Sequence, residues 1–183
     1  MKRPEAFTLA EMMVALALAL VVAGVVMQGL IASGRSGERL ALLLRERTFQ
    51  RRTLALLRTE LGAAERWEAA TGVGAACNLA GRAPVVQLEV EGRTITYSLG
   101  AAPSPIWRGR VLMRCGPAYG LEGELSSGAA QNRVVLDGLA AGGLQILQEA
   151  PGMLRLRLRQ ELPLRGGTVL PLNLEMLAAA PQP

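Results

Sequence analysis

From Met12 to Ala32 the chain runs for 21 residues without a formal charge, and Gln28 is the only clearly polar one. At 1.5 Å of rise per residue this makes about 30 Å of helix, close to the hydrocarbon thickness of a bilayer. Glu11 stands at the very edge of the run. A lone carboxylate against a membrane segment is costly and usually has a dedicated partner. The first four N–H groups of such a helix lack intrahelical acceptors as well. The start of this run therefore concentrates two unmet demands in one turn.

The residues around Glu11 are specific. Phe7-Thr8-Leu9-Ala10-Glu11-Met12-Met13-Val14-Ala15-Leu16 resembles the N-terminal processing motif of type IV pilins and type II secretion pseudopilins. In that family a short basic leader is cut just before the Phe, the new amine is methylated, and a Glu at the fifth mature position is retained. The resemblance makes residues 1–6 the leader, with Lys2 and Arg3 as its cations. It places cleavage between Ala6 and Phe7, methylation on Phe7, and subunit docking on Glu11. Ala6 departs from the usual Gly before the cut, which puts the cleavage rate in question. Phe7 and Glu11 are four apart and so share a helix face. In a filament, the amine of one subunit could meet Glu11 of the next and fix the axial stagger, as the family implies. Ala15, Ala19 and Ala23 continue the spacing as small residues that allow close helix approach.

Two other readings of the run stay open. A secretory signal peptide would be removed after a shorter apolar core, and Ala32-Ser33-Gly34 offers small residues for a cut. An unprocessed single-span anchor carrying a binding domain is the other. Charge does not decide the orientation. Lys2 and Arg3 precede the run, while Arg35, Arg39, Arg45 and Arg47 follow it. The family resemblance decides it, implying an inner-membrane, single-pass protein with a periplasmic head that later enters a pilus or pseudopilus.

Composition narrows the chemistry. The formal net charge is +5, there is no His, and Asp137 is the only aspartate. Most metal sites, triads and acid–base pairs are thereby removed, so no enzyme and no cofactor is expected. Cys77 and Cys115 both fall in the presumed exported part, where an even pair reads as a disulfide. In the chain-entropy model that closure would contribute roughly 4 kcal/mol. Two buried free thiols are the alternative.

Beyond the run, Ser33-Gly34-Arg35-Ser36-Gly37 is expected to let the helix bend or melt locally. From Glu38 to about Glu68 the pattern is amphipathic: Leu54, Leu57, Leu61 and Ala64 make an apolar stripe, and Arg51, Arg52, Arg58 and Glu60 cover the other faces. One helix of ~85 Å from about Thr8 to Ala64 is predicted. Residues 7–33 would be the membrane or filament-core part, residues 34–68 its amphipathic continuation, and residues 69–183 a β-rich head. Thr71 to Ala76 reads as the loop that ends the helix. Val86, Leu88 and Val90 alternate with polar residues, and Gly92-Arg93 reads as a two-residue turn into a strand from Thr94 to Leu99. Ile106 to Cys115 is a further strand, with Trp107, Val111 and Met113 as core candidates. Short strands at 133–136 and 144–147 are separated by an Asp137-Gly138 turn and a Gly142-Gly143 break. Leu154, Leu156 and Leu158 alternate with Arg155, Arg157 and Arg159. After a Gly166-Gly167 turn comes a last strand, in which Pro171 marks a sheet edge.

The predicted class is α+β: a long N-terminal helix, membrane-spanning in its first half, packed on an antiparallel sheet. This order also resembles the pilin fold, and the layout leans toward the larger minor subunits, the J-type pseudopilins or similar minor pilins. The family implies other subunits, a prepilin peptidase, an inner-membrane assembly platform and a cytoplasmic ATPase as partners. A competence-type minor pilin that binds DNA is a second reading. It would rest on Arg155, Arg157 and Arg159, about 6–7 Å apart on one strand face, with Arg108, Arg110 and Arg114 adding to the patch.

Overall fold

The computed structural model describes residues 8–69, 76–164 and 167–181, the side chains of 32–36 excepted. The expected leader with Ala6, the Phe7 that follows it, most of the loop expected from Thr71, and Gly166 lie outside the described residues. The chain forms two compact units, Met1–Glu46 and Arg47–Pro183. One helix, α1 (Leu9–Ala63), contributes to both. It passes through 33–37 without a break, so the glycines there neither end nor melt it.

Within the first unit, Leu9–Ile31 is long and apolar enough to cross a membrane: 23 residues with mean hydropathy 2.5 and none of it buried. Its leucines, valines and methionines face outward all around the helix. A helix that is apolar on every side and buries none of its surface needs an apolar surrounding to hide in.

The second unit is a helix on a sheet. Seven strands follow α1: β1 (Arg66–Ala69), β2 (Ala83–Val90), β3 (Arg93–Ala101), β4 (Arg110–Gly116), β5 (Gln131–Ala150), β6 (Met153–Pro163) and β7 (Val169–Ala179). They lie in the order β1-β2-β3-β4-β5-β6-β7, each antiparallel to the next. This is the predicted α+β class. Leu54, Leu57 and Leu61 of α1, with Ala64 just beyond, pack on Val86, Leu88, Ile95, Tyr97, Leu112, Leu136 and the Leu154-Leu156-Leu158 series. The apolar spacing of three and four thus meets strands whose leucines recur every second residue.

Several elements differ from the sequence reading. The stretch just past the helix, predicted to remain amphipathic helix to about residue 68, is β1, whose Arg66 to Ala69 pair with Glu89 to Val86. The β2–β3 turn is Glu91-Gly92 rather than Gly92-Arg93, because Val90 pairs with Arg93. Both turn residues have positive φ, 52° and 67°, which is the type I′ geometry that matches strand twist. β4 begins at Arg110, and Ile106 and Trp107 lie ahead of it, exposed rather than in the core. The two short strands expected at 133–136 and 144–147 are one strand. Gly138 and Gly142 take positive φ, 67° and 63°, and five steps along β5, from Leu139 to Leu144, oppose two along β6. The glycines therefore make bulges inside a strand, not turns between strands. A Cβ on Gly143 would sit 2.7 Å from the Arg159 carbonyl oxygen and 2.9 Å from that of Ala140.

The sheet is covered on a second side as well. Thr96, Ser98, Val111, Met113 and Cys115 are buried although they point away from α1. The segment 76–82 lies over them: Arg82 Nε donates to the Ala101 carbonyl at 2.9 Å, and Asn132 Nδ2 donates to the Asn78 carbonyl at 2.7 Å. The sheet's two edges are also joined. The Trp67 indole N–H of β1 donates to the Pro181 carbonyl, just past β7, at 2.9 Å. β7 carries Pro171 and is an edge strand, and side chains of α1 partly occupy it. Arg47 donates to the Asn173 carbonyl at 2.6 Å and Gln50 to that of Leu172 at 3.2 Å. Such occupation blunts an edge that could otherwise pair with another chain.

Candidate functional site

The N-terminal site is built by one turn of helix. Thr8 precedes α1, and its backbone N–H and hydroxyl both donate to Glu11 Oε2 at 2.9 Å. The Glu11 N–H donates back to Thr8 Oγ1 at 3.3 Å, and Met12 N–H closes the first turn on the Thr8 carbonyl at 3.2 Å. This is a capping box: Thr at the cap and Glu three residues on satisfy two orphan donors reciprocally. The acid also sits at the positive end of the helix dipole. Both side-chain bonds fall on Oε2, so Glu11 Oε1 is engaged in neither. Glu11 and the 23-residue span it opens are contiguous. Ala6 and Phe7 lie outside the described residues.

In the head, the structure joins Cys77 and Cys115 in a disulfide with the Cα atoms 5.9 Å apart. The bond ties segment 76–82 to the covered face of β4, and no free cysteine remains.

Arg155, Arg157 and Arg159 lie along β6, but interleaved with acids rather than as an unopposed cationic stripe. Arg155 holds Glu149 through two bonds of 2.6 and 2.7 Å and reaches Glu175 at 3.2 Å. Arg157 meets Glu175, its register partner on β7, at 2.9 Å, and Arg159 stands 3.6 Å from Glu161. Hydrogen bonds from Arg155 hold the Glu149 carboxyl below its usual range. Nor do Arg108 and Arg114 join this patch. Arg108 is paired with Asp137, through side-chain bonds of 2.8 and 3.1 Å and its backbone N–H at 3.0 Å. Burial works to raise the Asp137 pKa, but those bonds outweigh it and leave the carboxyl below its usual value.

Arg114 belongs to a cluster that the sequence did not suggest. Glu60, set off the apolar stripe by the sequence reading, is fully buried on α1. Its carboxylate accepts from Tyr97 Oη at 2.5 Å, Arg114 Nε at 2.7 Å and Tyr119 Oη at 2.8 Å. Arg114 also donates to the Pro117 carbonyl at 2.8 Å, and its guanidinium lies 5.2 Å from the Tyr119 ring centre. Burial first and the Glu60 charge second push Tyr97 well above its ordinary pKa, and the same two causes raise Tyr119 to about 12. Burial opposes the Arg114 charge, but Glu60 prevails and its pKa rises. A signal for Glu60 did exist. Positions 50, 53, 57, 60 and 64 also recur at three and four, which puts Gln50, Thr53 and Glu60 on the buried stripe.

Compared with known proteins, residues 1–27 match the family model described as the prokaryotic N-terminal methylation motif. No curated protein and no solved structure matches the chain. The matched segment contains Ala6, Phe7, the Thr8–Glu11 box and most of the apolar span. The chain therefore carries, at its N terminus, the prepilin-cleavage signature of type IV pilins and pseudopilins.

Proposed function

We propose that this protein is a minor pilin or pseudopilin, a structural subunit of a type IV pilus or type II secretion pseudopilus. A prepilin peptidase cuts between Ala6 and Phe7 and the new amine of Phe7 is methylated. The span from Leu9 to Ile31 holds the subunit in the inner membrane, with the head in the periplasm, until an assembly platform and its ATPase move it into the filament. The observation that carries this reading is the match over residues 1–27 on a helix that opens with a capped Glu11 and stays apolar for 23 residues. The capping box keeps the Glu11 carboxylate satisfied inside lipid while the subunit waits. Its free Oε1 then has room to accept the charged terminus of a neighbouring subunit. A nucleic-acid role finds less support, since the β6 arginines are already engaged by Glu149, Glu161 and Glu175.

Intact mass and the N-terminal peptide of the protein from its native membrane test the reading. The expected chain begins at N-methylated Phe7, and the Phe7 amine of one subunit cross-links to Glu11 of another. A chain beginning at Met1, or near Gly34, would overturn it.

A further inference from the structure

Between β3 and β4 the chain runs through Pro103-Ser104-Pro105-Ile106-Trp107. Trp107 N–H donates to the Ser104 carbonyl at 3.2 Å. Pro105 fills the place in that four-residue turn which its fixed φ suits, and Ile106 takes the next corner. The loop is fastened at Arg108: its backbone N–H donates to Asp137 Oδ2 at 3.0 Å, and its carbonyl accepts from Gly138 N–H at 2.7 Å. Ile106 is 78% exposed, and Trp107 beside it is exposed as well. A single apolar residue at the surface calls for no explanation. A braced turn that presents an isoleucine next to one of the chain's two tryptophans needs little further ordering when it meets an apolar phase.

Two observations identify that phase. The first is the place of the loop within the head. The head unit begins at Arg47, and α1 meets successive levels of the sheet from there. Thr53 donates to the Val135 carbonyl, and Glu60 accepts from Tyr97 and Arg114. Val135 lies beside Leu112 and Met113, nearer the loop than Arg114 is. Moving back along α1 from Glu60 toward Arg47 therefore moves along β4 toward its start, and the β3–β4 loop lies at the end where α1 enters the head. Residues 32–46 join that end to the apolar span, a reach of at most about 23 Å as helix. The second observation is charge. From Gly92 to Leu121 the chain has four arginines and no acidic residue. Arg110, exposed at the start of β4, and Arg82, which donates to the Ala101 carbonyl, flank the base of the loop. Among the described residues neither enters an ion pair. Tryptophan favours the headgroup level of a bilayer, and arginines beside it attract anionic lipid.

We infer that the Ile106–Trp107 turn seats in the headgroup layer of a lipid surface, with Arg82 and Arg110 toward anionic lipid. The head thereby has a hold on the membrane of its own, separate from the span and reversible. This rests on the membrane-anchored reading above, and it does not depend on where the N terminus is cut.

The test uses the full chain reconstituted in vesicles of phosphatidylcholine and phosphatidylglycerol, with acyl chains brominated close to the headgroup. Flotation with the vesicles reports the anchor, and quenching of tryptophan emission reports the loop. The unaltered chain is expected to lose up to about half of its emission, the share of one indole in two. Trp107→Phe, at an exposed position where folding is not at stake, leaves Trp67 as the internal control and should lose almost none. Ile106→Asp should remove most of the quenching. Arg110→Glu should reduce it, as should vesicles of phosphatidylcholine alone. A chain that floats with Trp107 unquenched, or whose quenching ignores Ile106→Asp, would overturn this inference and leave the anchor standing. A chain that does not float would overturn both.

Discussion

Glu60 is the acceptor for three side chains, Tyr97 of β3, Arg114 of β4 and Tyr119 in the loop after β4, and it is fully buried. Removing Arg114, its one cationic partner among the described residues, is therefore the severest single change to this cluster. Arg114→Met should cost about 3–5 kcal/mol, because a buried charge is left uncompensated. The pair exchanged together, Glu60→Leu with Arg114→Met, should recover much of that loss in urea unfolding. The tyrosines give a second prediction at this scale. Tyr97 and Tyr119 are the only tyrosines in the chain, and both are raised, Tyr119 to about 12. A raised folded pKa means the associated stability is complete below the unfolded value of about 10 and is lost as pH climbs through the folded value. Tyrosinate absorbance should thus be nearly absent from folded protein at a pH where the urea-unfolded chain is mostly ionised. A folded chain titrating like the unfolded one would remove the cluster from the fold.

At the scale of elements, the local motifs were legible and the assembled ones were not. The apolar span, the Leu54-Leu57-Leu61 stripe and the leucine alternation of β6 are each contiguous in sequence. Run length and periodicity expose them, whereas the Thr8–Glu11 capping turn emerged only with the structure. The Glu60 cluster draws on residues 60, 97, 114 and 119, which only the register of β3 and β4 brings together. β5 was obscured for another reason: Gly138 and Gly142-Gly143 look like chain reversals, yet a bulge can use a glycine of positive φ just as a turn can, as Gly138 and Gly142 do. The β2–β3 turn was misplaced by one residue because Glu91 adopts a positive φ of 52°, which few side chains favour. That misfit is testable. Glu91→Asn suits the type I′ position and should stabilise the chain by several tenths to about 1 kcal/mol, read as a rise in the denaturation midpoint. Gly143→Ala should destabilise it, since two carbonyl oxygens occupy the space of the added methyl.

For the whole molecule, the covalent tie and the sheet order matter most. Cys77 and Cys115 are separated by 38 positions, and their bond pins the segment that covers the outer side of β3 and β4. Cys77→Ser with Cys115→Ser should lower stability by about 2–4 kcal/mol and expose segment 76–82 to proteolysis. An unchanged thermal transition would assign that segment's attachment to Arg82 and Asn132 alone. The strictly sequential strand order has a kinetic consequence. Each strand pairs with the one before it, so a chain delivered N-terminus first can zip up strand by strand without waiting for distant partners. The bonds of Arg47 and Gln50 to β7 are exceptions, and so is the bond from Trp67 to the Pro181 carbonyl, which joins the first strand to the chain beyond the last. It is a latch that no partly delivered head can close.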